Sequence, residues 1–348
     1  MNAVTVHERP GVYSAYEVSS VLRSVDRNGT AALAAVSAGG TVGELYALTS
    51  YSQAVEAFGR EDGMTLLAKL LLANGAARVL AVPVAEGGSY DGAFSLLAAQ
   101  EGVKVMVCDS QDLTVQQALR ETVEEASQLR RERIAVVAAG AGETVTQLLQ
   151  RAKDLNSQRV VLTAPAADGE TLAGAQVAAA VAGAICAGSD PALPLGGAEL
   201  RGIDRLEKVY TEGDLDLLIQ GGVTPVEMTA GSAWVVRGVT TRTQTGGVSD
   251  ATWRELTTIL VVDDVIPAVR TALQARFHRT KNTQQVRSAI RSQVILELEN
   301  KKGAEIITDY GEVEVQALEE DPTVCLVTFG FQVAHGLNQI WLSAQITV

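Results

Sequence analysis

Between about residues 28 and 199, short Val-, Ile- and Ala-rich runs alternate with longer stretches whose apolar positions recur every three to four residues. The runs at 45–49, 77–84, 103–108, 133–139 and 159–163 have the length and β-branched content of strands buried on both faces. The stretches at 52–58, 64–73, 90–99, 113–130, 144–155 and 172–186 carry helical periodicity. Strand and helix taken in turn predict a parallel sheet covered by helices, an α/β layer structure.

The pattern changes after the joint Ser189-Asp190-Pro191-Ala192-Leu193-Pro194-Leu195-Gly196-Gly197. Thr- and Val-rich strands are expected at 223–228 and 233–241. A long helical region follows from Asp250 to about Asn300, then two or three strands, an α+β order. Ahead of the α/β zone, residues 4–7 are extended in pattern, and Arg9-Pro10-Gly11 has the residues of a turn. If this arm packs with the last zone, the middle zone is an insertion. The expected architecture is an α+β discontinuous core domain with an inserted α/β outer domain: an arm at 1–27, the insertion at 28–199 and the C-terminal part at 200–348. At the end of the chain, Ile340, Leu342, Ala344, Ile346 and Val348 alternate strictly with Gln339, Trp341, Ser343, Gln345 and Thr347. Such a strand either joins its own sheet or pairs with another copy. With Val4 and Val6 extended at the other end, the second arrangement would be strand addition between neighbours.

Composition narrows the function classes. The 348 residues are 47% hydrophobic and 20% charged, the balance of a folded globular chain. A net charge of −13 and only 4% aromatics argue against bulk nucleic-acid binding. No apolar stretch has the length of a membrane span, and a secretory leader is not expected from residues 1–10. Cys108, Cys186 and Cys325 lie far apart without CxxC spacing, so neither a structural zinc site nor a cofactor is expected.

Two local motifs could carry chemistry. Gly140-Ala141-Gly142 lies between a strand and a helix, as a dinucleotide-binding loop would. The third glycine position is Val145, and no acid ends the next strand, so a plain strand-to-helix turn is favoured. Asp263-Asp264 could form an acid/base or metal pair, but adjacent helical carboxylates diverge by about 100°. With Pro267 three residues on, one of them is expected to be a helix N-cap. His7, His278 and His335 have no ligand spacing, and neither a nucleophile elbow nor a P-loop occurs.

Charge is more structured near the C-terminus. Residues 265–292 hold Arg270, Arg276, Arg279, Lys281, Arg287 and Arg291 with no acid, whereas residues 297–321 hold nine acids and two lysines. The basic block is either a helix face paired within the chain or a docking surface for an acidic partner.

Several segments together resemble contractile phage tail sheath proteins. They are Glu8-Arg9-Pro10-Gly11-Val12-Tyr13; Thr49-Ser50 with Phe58-Gly59; Gly221-Gly222-Val223-Thr224-Pro225 followed by Trp234 through Thr241; and residues 256–276 with Asp263-Asp264-Val265-Ile266. The resemblance is close in both terminal regions and looser over 28–199. It implies a structural, non-enzymatic subunit that forms hexameric rings stacked into a helical sheath around an inner tail tube. It also implies terminal arms paired with adjacent subunits, a C-terminal helix on the tube, and contacts with baseplate and tail terminator proteins. Neither nucleic acid nor membrane insertion is involved. The place implied is a virion tail or tail-like particle assembled in a bacterial host cytoplasm. On this resemblance the six basic residues are tube-docking candidates. The alternative is a two-domain α/β enzyme with a nucleotide-binding domain.

Overall fold

The computed structural model describes residues 29–140, 142–169, 172–338 and 342–343. Val-, Ala- and Leu-rich runs build strands β1 (Thr30–Val36), β2 (Tyr46–Leu48), β3 (Arg78–Val84), β4 (Val103–Cys108), β5 (Ile134–Ala138) and β6 (Val160–Ala164). Between them run helices α1 (Tyr51–Phe58), α2 (Gly63–Ala73), α3 (Asp91–Ala98), α4 (Leu113–Gln128) and α5 (Val145–Leu155), and α6 (Ala173–Ala187) follows β6. Helix starts are set by side-chain caps: Asp62 and Asp112 accept from the second helical N–H, and Thr144 forms a capping box with Gln147.

The chain continues through β7 (Glu199–Leu200), α7 (Glu212–Gln220), β8 (Val223–Thr229) and β9 (Ser232–Val235). All nine strands form one sheet in the order β2-β3-β1-β4-β5-β6-β8-β9-β7. The six strands from β3 to β8 in that order run parallel, with antiparallel strands at both edges. Helices α1, α2 and α6 cover one face, and α3, α4, α5 and α7 cover the other, which is why the central strands are buried on both sides. Helix α6 is nearly all Ala and Gly because it is wedged in. A Cβ on Gly174 would stand 2.4 Å from the Ala139 carbonyl oxygen, and one on Gly183 2.7 Å from that of Leu71.

The largest fully buried side chain is Arg133. Its guanidinium donates to the carbonyls of Arg131 (2.9 Å), Leu97 (3.0 Å) and Gln100 (2.8 Å), closing the end of α3. The charge is buried against carbonyl dipoles at a helix C-terminus, where the macrodipole favours a cation.

The sheet departs from the expected organisation at the boundary between 199 and 200. Strand β8 pairs parallel with β6 (Leu162↔Val223, Thr163↔Thr224, Ala164↔Pro225), so strands on both sides of that boundary share one sheet and one pair of cores. The Pro/Gly joint is a surface loop rather than a break in packing.

Beyond a two-residue hairpin, β10 (Gln244–Thr245) with β11 (Val248–Ser249), the expected long helix is two: α8 (Leu256–Arg276) and α9 (Gln284–Gly303). The chain then forms β12 (Ile307–Tyr310), β13 (Glu314–Ala317), β14 (Cys325–Thr328) and β15 (Phe331–Val333). Strand β12 pairs with β15 and β13 with β14, and Gly311 N–H donates to the Gly330 carbonyl between the two ladders (2.8 Å). The result is one kinked antiparallel ribbon. A third core of Val261, Val265, Val269, Val294, Leu298, Ile306, Ile307 and Val313 joins α8, α9 and the ribbon.

Asp263 and Asp264 are not caps. Helix α8 begins at Leu256 after Glu255, which makes no side-chain cap bond, and Pro267 lies inside the helix. Both carboxylates serve as ion-pair partners instead, as described next.

Candidate interaction surfaces

The ribbon shows a period-two pattern. Val315, Val327, Phe331 and Val333 pack toward the third core, while Glu314, Gln316, Leu326, Thr328 and Gln332 are exposed. Each of its four strands has a ladder partner on one side and none on the other among the described residues. At the turn end, the Asn282 amide donates to the carbonyls of Pro322 (2.7 Å) and Val324 (3.2 Å), tying the ribbon to the α8–α9 connection. The free edges and outer face form a surface able to accept further strands.

The basic block does not sit on one surface. Arg270 is drawn to the sheet body by Glu132 (2.6 Å). That pair also holds the Glu132 carboxyl below the usual carboxylate range, although burial opposes the shift. Arg276 bonds Gln293, and Arg287 donates to the Asn282 side chain (3.0 Å). Arg291 reaches Glu312 at 3.4 Å with both side chains at least half exposed, a pair worth about 0–1 kcal/mol. Arg279, at φ 55°, and Lys281 are exposed in the α8–α9 connection. Of the expected strand-arm residues, Leu342 is described and is 93% exposed. Val4, Val6, Ile340, Ala344, Ile346 and Val348 lie outside the described residues.

The paired aspartates diverge as helical geometry requires. Asp263 holds Arg159 through two bonds (2.7 and 2.9 Å), whereas Asp264 pairs with Lys301 of α9. The first joins α8 to β6 of the body, and the second joins it to the C-terminal unit. Neither partnership was foreseen from sequence, where only the divergence of the two carboxylates was legible.

The places where an α/β enzyme would bind a ligand are filled by the chain itself. The Gly142 N–H donates to the Glu207 carboxylate (3.0 and 3.2 Å), and Glu143 pairs with Arg151. An anion at that loop would therefore compete with a resident carboxylate. Strand order reverses between β1 and β4, where ligands of open sheets usually sit. There the buried Asp109 carboxylate accepts from Tyr90 Oη (2.5 Å) and Val36 N–H (2.9 Å). Burial raises the Asp109 pKa despite these donors. Its folded pKa then exceeds its unfolded one, so its stabilising contribution is complete below the ordinary carboxylate pKa and is lost as pH rises through the raised value. Asp109→Asn should therefore improve relative to wild type in urea titrations as pH rises above the ordinary carboxylate value of about 4, whatever its constant offset. A stability difference independent of pH would contradict this.

Among the described residues no cluster of three or more His, Cys, Asp or Glu is arranged to hold a metal ion, and no helix is long and apolar enough to cross a membrane.

Among the described residues the sheet's usual ligand positions are occupied by its own side chains and the ribbon's outer edges are unpaired, an arrangement that suits a structural protein. Comparison with known families supplies the particular class. Residues 84–241 match the phage tail sheath protein central domain, and residues 248–347 match the phage tail sheath C-terminal domain. The chain belongs to the phage tail sheath family, a structural and non-enzymatic one.

Solved structures share the fold at low identity. The helical sheath of the anti-feeding prophage in its contracted state is 14% identical with a TM-score of 0.72, over 98% of this chain and 99% of that one. A chain of the six-fold symmetrised anti-feeding prophage baseplate is 14% identical with a TM-score of 0.73, over 99% and 100%. The sheath tail protein of Desulfitobacterium hafniense is 12% identical with a TM-score of 0.67, over 93% and 100%. No curated protein matches in sequence.

Proposed function

We propose that this chain polymerises as stacked hexameric rings into a helical sheath around an inner tail tube and contracts to drive the tube through a target envelope. The observation that carries the reading is the ribbon of β12 to β15, with its apolar face satisfied and its edges open. Family membership and the likeness to a helical sheath support it. In this reading the terminal segments of neighbouring copies, including Val4, Val6 and 340–348, add strands to the ribbon. The two terminal regions with α8, α9 and the ribbon form the part that polymerises, and the α/β layer faces outward. Baseplate and terminator proteins close the two ends of a tail or tail-like particle assembled in a bacterial cytoplasm.

Docking to the tube falls to the part of the basic block not committed to the body: Arg276, Arg279, Lys281, Arg287 and Arg291. Weak exposed ion pairs suit a contact that must release when the sheath moves. Electron microscopy of the subunit mixed with its tail tubes tests the reading. Wild type should coat the tubes, and Arg287→Glu with Arg291→Glu should leave self-association intact but abolish coating. Coating should also weaken as salt rises, because exposed charges are screened over about 8–10 Å. A wild-type protein that stays monomeric with tubes present would overturn the sheath reading. Undiminished coating by the double variant at low salt would move docking elsewhere.

A further inference from the structure

Helix α8 is shared between two packed bodies, and its attachment changes character along its length. At its start it is locked to the sheet body by apolar and main-chain contacts. Leu256 and Ile259 are buried in the core under α2 and α6. Leu256 N–H donates to the Gly238 carbonyl (3.3 Å), Thr240 N–H to the Arg254 carbonyl (2.8 Å), and Arg237 pairs with Glu255. From Val261 onward its buried residues belong to the third core. The Asp264–Lys301 pair and that core bind the second half of α8 to α9 and the ribbon.

Between these two regimes, polar contacts fasten the helix to the body. Arg159–Asp263 and Glu132–Arg270 are the two ion pairs across the seam. A cleft opens on each side of Asp263. One, of about 570 Å³, is lined by Lys104, Arg131, Asp264, Pro267 and Gln274 among others. The other, of about 440 Å³, is lined by Gln128, Arg242, Val262 and Ile266. Pro267 lies within this stretch. It has no N–H, so the carbonyl four residues back, at Asp263, has no helical donor, and the ring disfavours helical geometry at Ile266. The proline-weakened turn of α8 thus coincides with the stretch that both clefts border. Sharp bends in helices arise at such places.

We infer that residues 263–267 form a hinge, about which the C-terminal unit of α8's second half, α9 and the ribbon rocks against the sheet body. The two ion pairs act as a releasable clasp. Both pairs are largely buried but border the two clefts, where water can replace a parted partner more readily than it can fill a gap between interlocked apolar side chains. A second point of contact is Gly336 against Pro194, where a Cβ would come within 2.1 Å of Pro194 Cγ. Ala192 of the same loop also packs against the third core, so the C-terminal unit is tethered at this loop and through α8. Such a device would let part of the motion of a contracting polymer occur inside each subunit. The inference concerns the isolated chain and stands apart from the sheath reading.

The test is a distance measurement by spin labelling on the full-length subunit, with the half-buried Cys325 replaced by Ser and the buried Cys108 and Cys186 left in place. Labels at Glu101 and Gln274, both exposed and both lining the larger cleft, report across the seam. Labels at Glu56 and Glu101, both on the body, give the control. The cross-seam distribution should be wider than the control. It should narrow in Pro267→Ala, which restores the helical donor, and widen in Glu132→Gln, which opens the clasp. A cross-seam width equal to the control, or one that Pro267→Ala leaves unchanged, overturns the hinge. Neither result depends on assembly, so each is distinguishable from failure to coat tubes.

Discussion

A chain ending at Glu199 is expected to lose cooperative folding and to aggregate, whereas one ending at Asp264 should melt cooperatively as a monomer. The shorter chain retains β6 but not β8, leaving an apolar strand as a bare edge. It also loses Leu218, Val223 and Val226 from the two faces of the sheet, along with Leu256 and Ile259. The Ser157 N–H to Thr241 Oγ1 (3.0 Å) and Thr241 Oγ1 to Ser157 carbonyl (3.1 Å) bonds go with them. Each lost hydrogen bond counts for about 1 kcal/mol. Each lost apolar side chain counts for about 1.5–3 kcal/mol. The sum reaches the whole stability of a typical domain, about 5–15 kcal/mol. The longer chain keeps both cores and the Arg159–Asp263 pair. Urea titration with light scattering distinguishes the two. A monomeric shorter chain with a sharp transition would restore the boundary at 199 and show that β8 is dispensable to the sheet.

The sheet crosses that boundary for a reason that recurs across the chain. Strands such as β3 and β4 were legible because their Val-rich runs are buried on both faces, a local signal. Strand β1, the sequence Thr-Ala-Ala-Leu-Ala-Ala-Val, is equally buried, but alanine favours helix, and only its two parallel neighbours make it a strand. Helix α7 was missed although Thr211 and Asp214 form a capping box, because it is short and its apolar residues fall only from Leu215 onward. Composition shifts sharply at the Pro/Gly joint, yet the β6–β8 pairing passes over it. The same limit governs the charged residues. Arg270 stands 138 positions from Glu132, so a count of local charge placed it with Arg287 and Arg291 when its partner lies on the sheet body. Pro267 suggested a first helical turn because proline is costly elsewhere, and that cost is what makes it informative in the interior of α8. The open ribbon was legible only as the promise of two or three strands. Its free edges are a property of the fold.

Those edges carry the larger consequence for assembly. Deleting residues 340–348 is expected to leave a folded subunit that no longer polymerises. Of these residues Leu342 and Ser343 are described, both exposed and Leu342 at 93%, and the three cores are built of other residues. Unfolding free energies from urea titration should shift by no more than about 0.5 kcal/mol, the range of surface changes. The polymer, in contrast, would lose the strand proposed to pair with a neighbour's ribbon. A strand of that length supplies several main-chain bonds at about 1 kcal/mol each plus alternate apolar contacts. In a helical array each subunit both gives and receives such a strand, so the deletion removes one such interface per copy. Substituting proline at Leu342 and Ala344 offers a gentler version, since it removes two donors without shortening the chain. Both variants should sediment as monomers under conditions where wild type forms tubes visible by electron microscopy. Tubes of normal appearance from the truncated chain would place residues 340–348 outside the contacts that hold the sheath together. The ribbon's free edges would then need another partner.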